Sequence, residues 1–153
     1  GPVLESDFGS SVELVKRFLN GGFPLAPNIS FGIVDVRDVA QLHLLALESP
    51  QASGNRFIAS SETLAIPLIS EFLRKKIPEY QKRLPKGTAP DFLIKLLGFF
   101  SPLMKTVANQ LGKTKELDNS KAKNILGWQP RSGEEAVIAS AKSLIEFDIV
   151  KSP

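Results

Sequence analysis

The stretch SFGIVDVRDVAQLHLLALES, residues 30–49, changes its periodicity part-way along, and that change decides the fold class. Its first part carries the β-branched Ile33, Val34 and Val36 in a short run, which reads as a strand. From there Val36, Val39, Ala40, Ala46 and Leu47 share one helical stripe, and Leu42 and Leu45 widen it. A helix apolar over so much of its surface is expected to be buried on more than one side. Asp35 and Asp38 have the spacing of an N-cap and the N3 position, where carboxylates meet unpaired backbone N–H groups. With Arg37 and the chain's sole histidine, His43, they could instead be a catalytic cluster. The stripe places His43 with the core residues, so the structural reading is preferred. What remains for function is that such a strand end can border a ligand cleft.

Working outward, RFIAS at 56–60 reads as a second strand after the loop SPQASGN. Strand, helix and strand from 30 to 59 look like one piece of a parallel sheet, which needs a helical crossover. Parallel sheets are covered on both faces, so two strands alone do not complete one. Upstream, Ser10 and Glu13 have capping-box spacing, and Val12, Val15, Phe18 and Leu19 follow with helical period. NGG at 20–22 ends that helix, and FPLAPN is a proline-punctuated loop. Pro67 opens a helix with Ile69, Phe72 and Leu73 inward, and Pro78 stops it. DFLIKLLGFFSPLM, 91–104, predicts an apolar helical hairpin broken at Ser101–Pro102, buried or pocket-lining. The chain then gives a short helix closed by Gly127 and Trp128, and a last helix capped by Ser132 and Glu135. Ala136, Val137, Ala141, Leu144 and Ile145 of that helix point to the core.

Composition excludes several functions. The net charge is +3, from 19 basic and 16 acidic residues, too small a bias to indicate nucleic acid. No cysteine is present, so thiolate chemistry, disulfides and cysteine metal sites are absent, and one histidine leaves no histidine-rich metal site. The apolar hairpin contains Lys95 and Pro102 and is shorter than the roughly 20 apolar residues that span a bilayer. A membrane-surface role for FLIKLLGFF is the lesser alternative to a buried one. No glycine-rich phosphate loop and no G-x-S-x-G elbow occurs. The single tyrosine, Tyr80, has Lys82 two residues on, so a Tyr-x-x-x-Lys pair is absent as well.

Three segments taken in order carry a resemblance: GPVL at 1–4, FGIVDVRDVAQLHLLALESPQASGNRFIAS at 31–60 and LGWQPRSGEEAVIASAKSLI at 126–145. Together they resemble the C-terminal half of an extended short-chain dehydrogenase/reductase. The nearest branch is the dihydroflavonol reductase-like one, related to NAD(P)-dependent epimerases and dehydratases. The resemblance implies an α/β fold: the C-terminal part of a Rossmann-type doubly wound sheet plus a mostly helical substrate-binding subdomain. The chain is then a single incomplete unit. Residues 1–60 end the sheet region, 61–131 form the helical subdomain and 132–153 the last helix.

The same resemblance implies the C-terminal, substrate-binding portion of an NAD(P)-dependent carbonyl reductase, which passes hydride to a ketone or aldehyde. The family's glycine loop and its catalytic Ser/Thr, tyrosine and lysine lie before Gly1, so no residue here is expected to be catalytic, cofactor-binding or metal-binding. NAD or NADP belongs to the intact protein, and this chain alone is expected to bind neither. Leu4, Phe8, Val34, Phe92, Leu96, Phe99 and Phe100 are implied as substrate-pocket walls. One departure matters: PNISFGIVDV, 27–36, holds no basic residue where nucleotide-sugar epimerases carry a diphosphate-binding arginine. That favours an uncharged carbonyl substrate. A non-catalytic NAD(P)-sensing module and a nucleotide-sugar epimerase or dehydratase are the alternatives. The expected partners are a small carbonyl substrate and an N-terminal Rossmann half, with no nucleic acid and no membrane, in the cytoplasm. Left alone, the chain would expose sheet edge and apolar helix faces and is expected to self-associate.

Overall fold

Asp35 ends an extended segment and starts helix α2 (Val36–Glu48), accepting a hydrogen bond from the Arg37 N–H on Oδ1 at 2.9 Å. A computed structural model describes residues 1–4 and 9–153. The other elements are α1 (Ser10–Leu19), β1 (Ser30–Ile33), β2 (Glu62–Ala65), α3 (Ile66–Lys76), α4 (Asp91–Leu97), α5 (Pro102–Ala108), α6 (Ser120–Leu126) and α7 (Gly133–Glu146). Short 3-10 turns lie at Pro50–Ala52 and Pro78–Tyr80.

The sheet differs from the expected parallel unit. β1 pairs antiparallel with β2, Ser30 opposite Ala65 and Ile33 opposite Glu62. Residues 56–60 keep a strand's alternation, with Phe57 and Ala59 half-buried and Ile58 exposed, but no described strand runs beside them. A strand exists only by pairing, so RFIAS stays an unpaired segment. Its end is tied to β1 where the Ser61 N–H and hydroxyl both donate to the Ile33 carbonyl at 2.8 Å.

Two apolar cores result. The larger joins Val15, Phe18 and Leu19 of α1, Leu64 of β2, Ile69 and Leu73 of α3, and Val137, Ala141 and Leu144 of α7. Phe18 meets Phe23 edge to face, with centroids 5.5 Å apart. The smaller core joins Leu42 of α2, Ala122 and Leu126 of α6, and Trp128, with Phe57 and Ala59 packed against them. Gly127, at φ 65°, turns the chain back so that Trp128 lies on α6, as the sequence predicts. The Ser132–Glu135 capping box also forms. At α1 the N-cap is Gly9 and not the Ser10 that the spacing predicts, which puts Glu13 at the fourth helical position. Glu13 pairs with Lys16 and Arg17 instead, at 3.6 and 3.1 Å.

Helix α2 departs most from its predicted stripe. Its buried residues are Asp38 and Leu42. Val36, Ala40, His43, Leu44 and Leu47 face outward, Leu47 with 83% of its surface exposed. His43 is therefore not a core histidine; its Nδ1 lies 2.8 Å from the Val39 carbonyl of the preceding turn. A helix apolar on two sides needs two neighbours, and α6 with Trp128 supplies one.

Asp38 is not a cap either. Its Oδ2 accepts from the Arg131 backbone N–H at 2.7 Å, its Oδ1 accepts from the Arg131 guanidinium, and its carbonyl accepts from Trp128 Nε1 at 2.9 Å. Asp38→Ala should cost about 2–3 kcal/mol in urea unfolding, because it strands a part-buried N–H and an arginine. Arg131→Ala, which keeps the backbone hydrogen bond, should cost about 1 kcal/mol.

Candidate functional site

The loop after α1 builds a cavity. Gly21, at φ 76°, turns the chain out of the helix, and the chain bends again at Pro24–Leu25 and after Pro27, where the Ile29 N–H donates to the Pro27 carbonyl at 2.9 Å. Ala26 bonds to the 87–89 segment on both sides, its N–H to the Gly87 carbonyl at 2.8 Å and its carbonyl from the Ala89 N–H at 2.7 Å. Phe23, Leu25 and Ile29 are thereby aimed at Leu14 of α1, Ile33 of β1, Ile94 of α4 and Met104 and Val107 of α5. They enclose a cavity of about 570 Å³, within the range of small-molecule sites. Helices α4 and α5 cross closely at Gly98, where an added Cβ would stand 3.3 Å from the Lys105 Cα. Among the described residues the charged side chain on the wall is Arg17, which is held by Glu13.

A smaller cavity of about 180 Å³ adjoins this one through Leu14, Gly32 and Ile33, and reaches Val34, Ile69, Val137 and Ser140. Gly32 sits at the junction, and a Cβ there would meet the end of the Leu117 side chain, which would have to move aside. The segment carrying Leu117 runs beside β2 and is pinned on both sides. Thr63 Oγ1 donates to the Lys115 carbonyl at 3.0 Å, and Asn119 Nδ2 donates to the Ser60 carbonyl at 2.6 Å.

The polar cluster beside the cavities is neutralised internally. Arg37 grips the buried Asp35 carboxylate through Nε at 2.9 Å and Nη2 at 2.7 Å. Burial by itself would raise the Asp35 pKa, but the Arg37 hydrogen bonds outweigh it and hold the carboxyl at about 2. So acidic and so paired a group is no general base near neutral pH. The question raised by residues 33–43 is thus answered: a cap, an inter-element tie and an exposed histidine.

The residues implied as pocket walls are distributed as follows. Phe99 and Phe100 come together in an open groove at the turn between α4 and α5, with Lys95 and Lys105 beside them. Val34 lies apart, in the smaller cavity. Leu4, Phe92 and Leu96 are exposed, at 79%, 72% and 52%. Phe8 lies outside the described residues. The larger cavity's own walls were missed in the sequence. The signal was Leu14 lying off the main α1 stripe, and Phe23 and Leu25 sitting apolar inside a loop.

The helix N-termini of α2 and α7 are filled by the chain's own carboxylates. A pyrophosphate binds free N–H groups at a helix N-terminus. Here Asp35 occupies that of α2, while Glu135 and Glu62 occupy that of α7, Glu62 accepting from the Gly133 N–H. Among the described residues no group of acids and histidines could hold a metal ion, and no helix is long and apolar enough to cross a membrane.

Comparison with known proteins adds the family. The ketoreductase azaE of Aspergillus niger is 34% identical over 134 residues, 87% of this chain and 34% of that protein. The NADPH-dependent methylglyoxal reductase GRE2 of Saccharomyces cerevisiae is 29% identical over 146 residues, 95% of this chain and 38% of that protein. The chain matches the C-terminal portion of the extended short-chain dehydrogenase/reductase family. It spans about a third of the length of these two reductases. The crystal structure of yeast methylglyoxal/isovaleraldehyde reductase Gre2 with NADPH superposes with a TM-score of 0.68 at 26% identity, over 97% of this chain and 44% of that one. The mixed α/β architecture of this chain is therefore that of the Rossmann-fold short-chain reductases. No model of a known protein family matches the chain.

The Asp35 pKa gives a pH signature. Its folded value of about 2 lies below the ordinary 3.8, so its contribution to stability is full above pH 4 and is lost as pH falls through 2. Asp35→Asn should remove on the order of 1–2 kcal/mol at pH 7 and flatten the stability profile between pH 4 and 2, measured by urea unfolding.

Proposed function

We propose that this chain is the C-terminal, substrate-binding portion of an NAD(P)-dependent carbonyl reductase acting on a ketone or aldehyde, and that it is not catalytically competent by itself. The observation that carries this reading is the match of nearly the whole chain to a ketoreductase and to an NADPH-dependent methylglyoxal reductase. The apolar cavity supports it, because walls of Leu14, Phe23, Ile29 and Val107 suit an uncharged organic substrate and offer no cationic cluster for a diphosphate. NAD or NADP is assigned to a preceding Rossmann half, since the helix N-termini of α2 and α7 are filled by carboxylates. In this reading residues 1–60 complete the sheet region, 61–131 form the substrate-binding subdomain and 132–153 its closing helix.

The outward face of α2 supports the same arrangement. Val36, Ala40, Leu44 and Leu47 form an apolar stripe beside the unpaired segment 56–60, a surface suited to a sheet and its covering layer. Val34 and Leu4 are then walls on the side where the second half would close the substrate pocket, with Phe92, Leu96, Phe99 and Phe100 as walls from the helical hairpin; Phe8, proposed with them, lies outside the described residues. Without that half the chain is expected to self-associate through the open face.

The test compares residues 1–153 with a protein that includes the preceding reading frame. The longer protein should oxidise NADPH in the presence of a ketone or aldehyde such as methylglyoxal, and residues 1–153 should do neither this nor bind NADPH. Micromolar NADPH binding by residues 1–153 alone would overturn the proposal. Leu44→Asp with Leu47→Asp should disperse any self-association of residues 1–153 and cost the chain only about 1–2 kcal/mol, from helix propensity and the dipole, since both side chains are exposed. The same pair should sharply lower the melting temperature of the longer protein.

A further inference from the structure

The α4–α5 hairpin does not bury its apolar residues. Phe99 and Phe100 are 84% and 82% exposed at its turn, and Phe92 and Leu96 lie four residues apart on the outer face of α4. Lys95 and Lys105 line the same groove as Phe99 and Phe100. Charge is segregated in the same region. Residues 74–115 hold ten lysines and arginines against two acids, a net +8, while the rest of the chain holds nine against fourteen, a net −5. Lys82, Lys86, Lys95, Lys105, Lys113 and Lys115 are all exposed.

We propose that this hairpin docks on an anionic lipid bilayer surface. Phe92, Leu96, Phe99 and Phe100 enter the boundary between headgroups and acyl chains, and Lys95 and Lys105 lay their alkyl stems beside them and carry their ammonium groups to the lipid phosphates. The net positive charge of residues 74–115 adds long-range attraction to the negative leaflet. Charge separates this face from the outer face of α2, which is as apolar but carries Arg37 near its start and Glu48 at its end, with no basic excess. A neutral apolar stripe suits protein; rings set in a lysine field suit an anionic surface. The inference does not depend on the reductase reading: it gives Phe92, Leu96, Phe99 and Phe100, all exposed and none of them on the wall of the larger cavity, a lipid surface in place of the pocket-wall role proposed for them above, and it replaces the expectation that the hairpin is buried.

Residues 1–153 should co-sediment with phosphatidylcholine vesicles containing about 30% phosphatidylserine, and bind them at least tenfold more strongly than pure phosphatidylcholine vesicles. The binding should weaken steeply with added salt. Phe99→Ser with Phe100→Ser should reduce it at least tenfold, and Lys95→Glu with Lys105→Glu should abolish the preference for anionic lipid. Unchanged circular dichroism and urea midpoints would show that both variants fold. Absence of binding to the anionic vesicles, or equal binding by the original chain and both variants, would overturn the proposal. So would a dimer in sedimentation velocity that depends on Phe99 and Phe100 and excludes vesicles, which would make a second copy the occupant.

Discussion

A carboxylate taken out of water has to be met by donors on every side it presents, and Asp38 is such a group, with 1% of its surface exposed. Its donors come from ninety residues further on: the Arg131 N–H and guanidinium on the carboxylate, and the Trp128 indole on its carbonyl. Meeting them fixes the 128–132 turn against α2. That turn delivers Ser132 as the cap of α7, and Glu62 of β2 then accepts the next N–H, from Gly133. Helix α2, strand β2 and α7 are therefore positioned by one polar chain of contacts. The apolar cavity, framed by α1, β1 and the α4–α5 hairpin, is built outward from that frame.

What the sequence disclosed was local. The Asp35 cap, the Gly127 turn under Trp128, the Ser132–Glu135 box and Pro67 in the first turn of α3 all depend on residues within a few positions of one another. Their chemistry is written in adjacent letters. What it hid was pairing. The β-branched pattern of residues 33–36 fits a strand with a parallel or an antiparallel neighbour equally well, and only the position of 62–65 in space decides between them. Asp38 looked like a second capping acid because Arg131 is far away in sequence. His43 looked internal because a stripe of apolar residues shows that a face is apolar without showing what covers it.

The site was legible to the same extent. The family resemblance rested on the 31–60 and 126–145 segments, and the first of these supplies Gly32 and Ile33 to the cavity walls. The rest of the walls come from elements whose apolar residues, read singly, look like ordinary core. Two exposed apolar faces carry different electrostatic surroundings, so that burial alone does not describe them: α2 offers a neutral stripe, and the hairpin sets aromatic rings among lysines. Local charge distinguishes surfaces that hydrophobicity leaves equivalent.

The division into two cores also gives the chain two separate optical addresses. Its single tryptophan, Trp128, is wholly enclosed in the smaller core, and its single tyrosine, Tyr80, sits in the larger one. Indole emission therefore reports on α2 and α6, and phenol absorbance on α1, α3 and α7. Coincidence of the two signals during unfolding measures directly whether the Asp38 tie makes the molecule one cooperative unit.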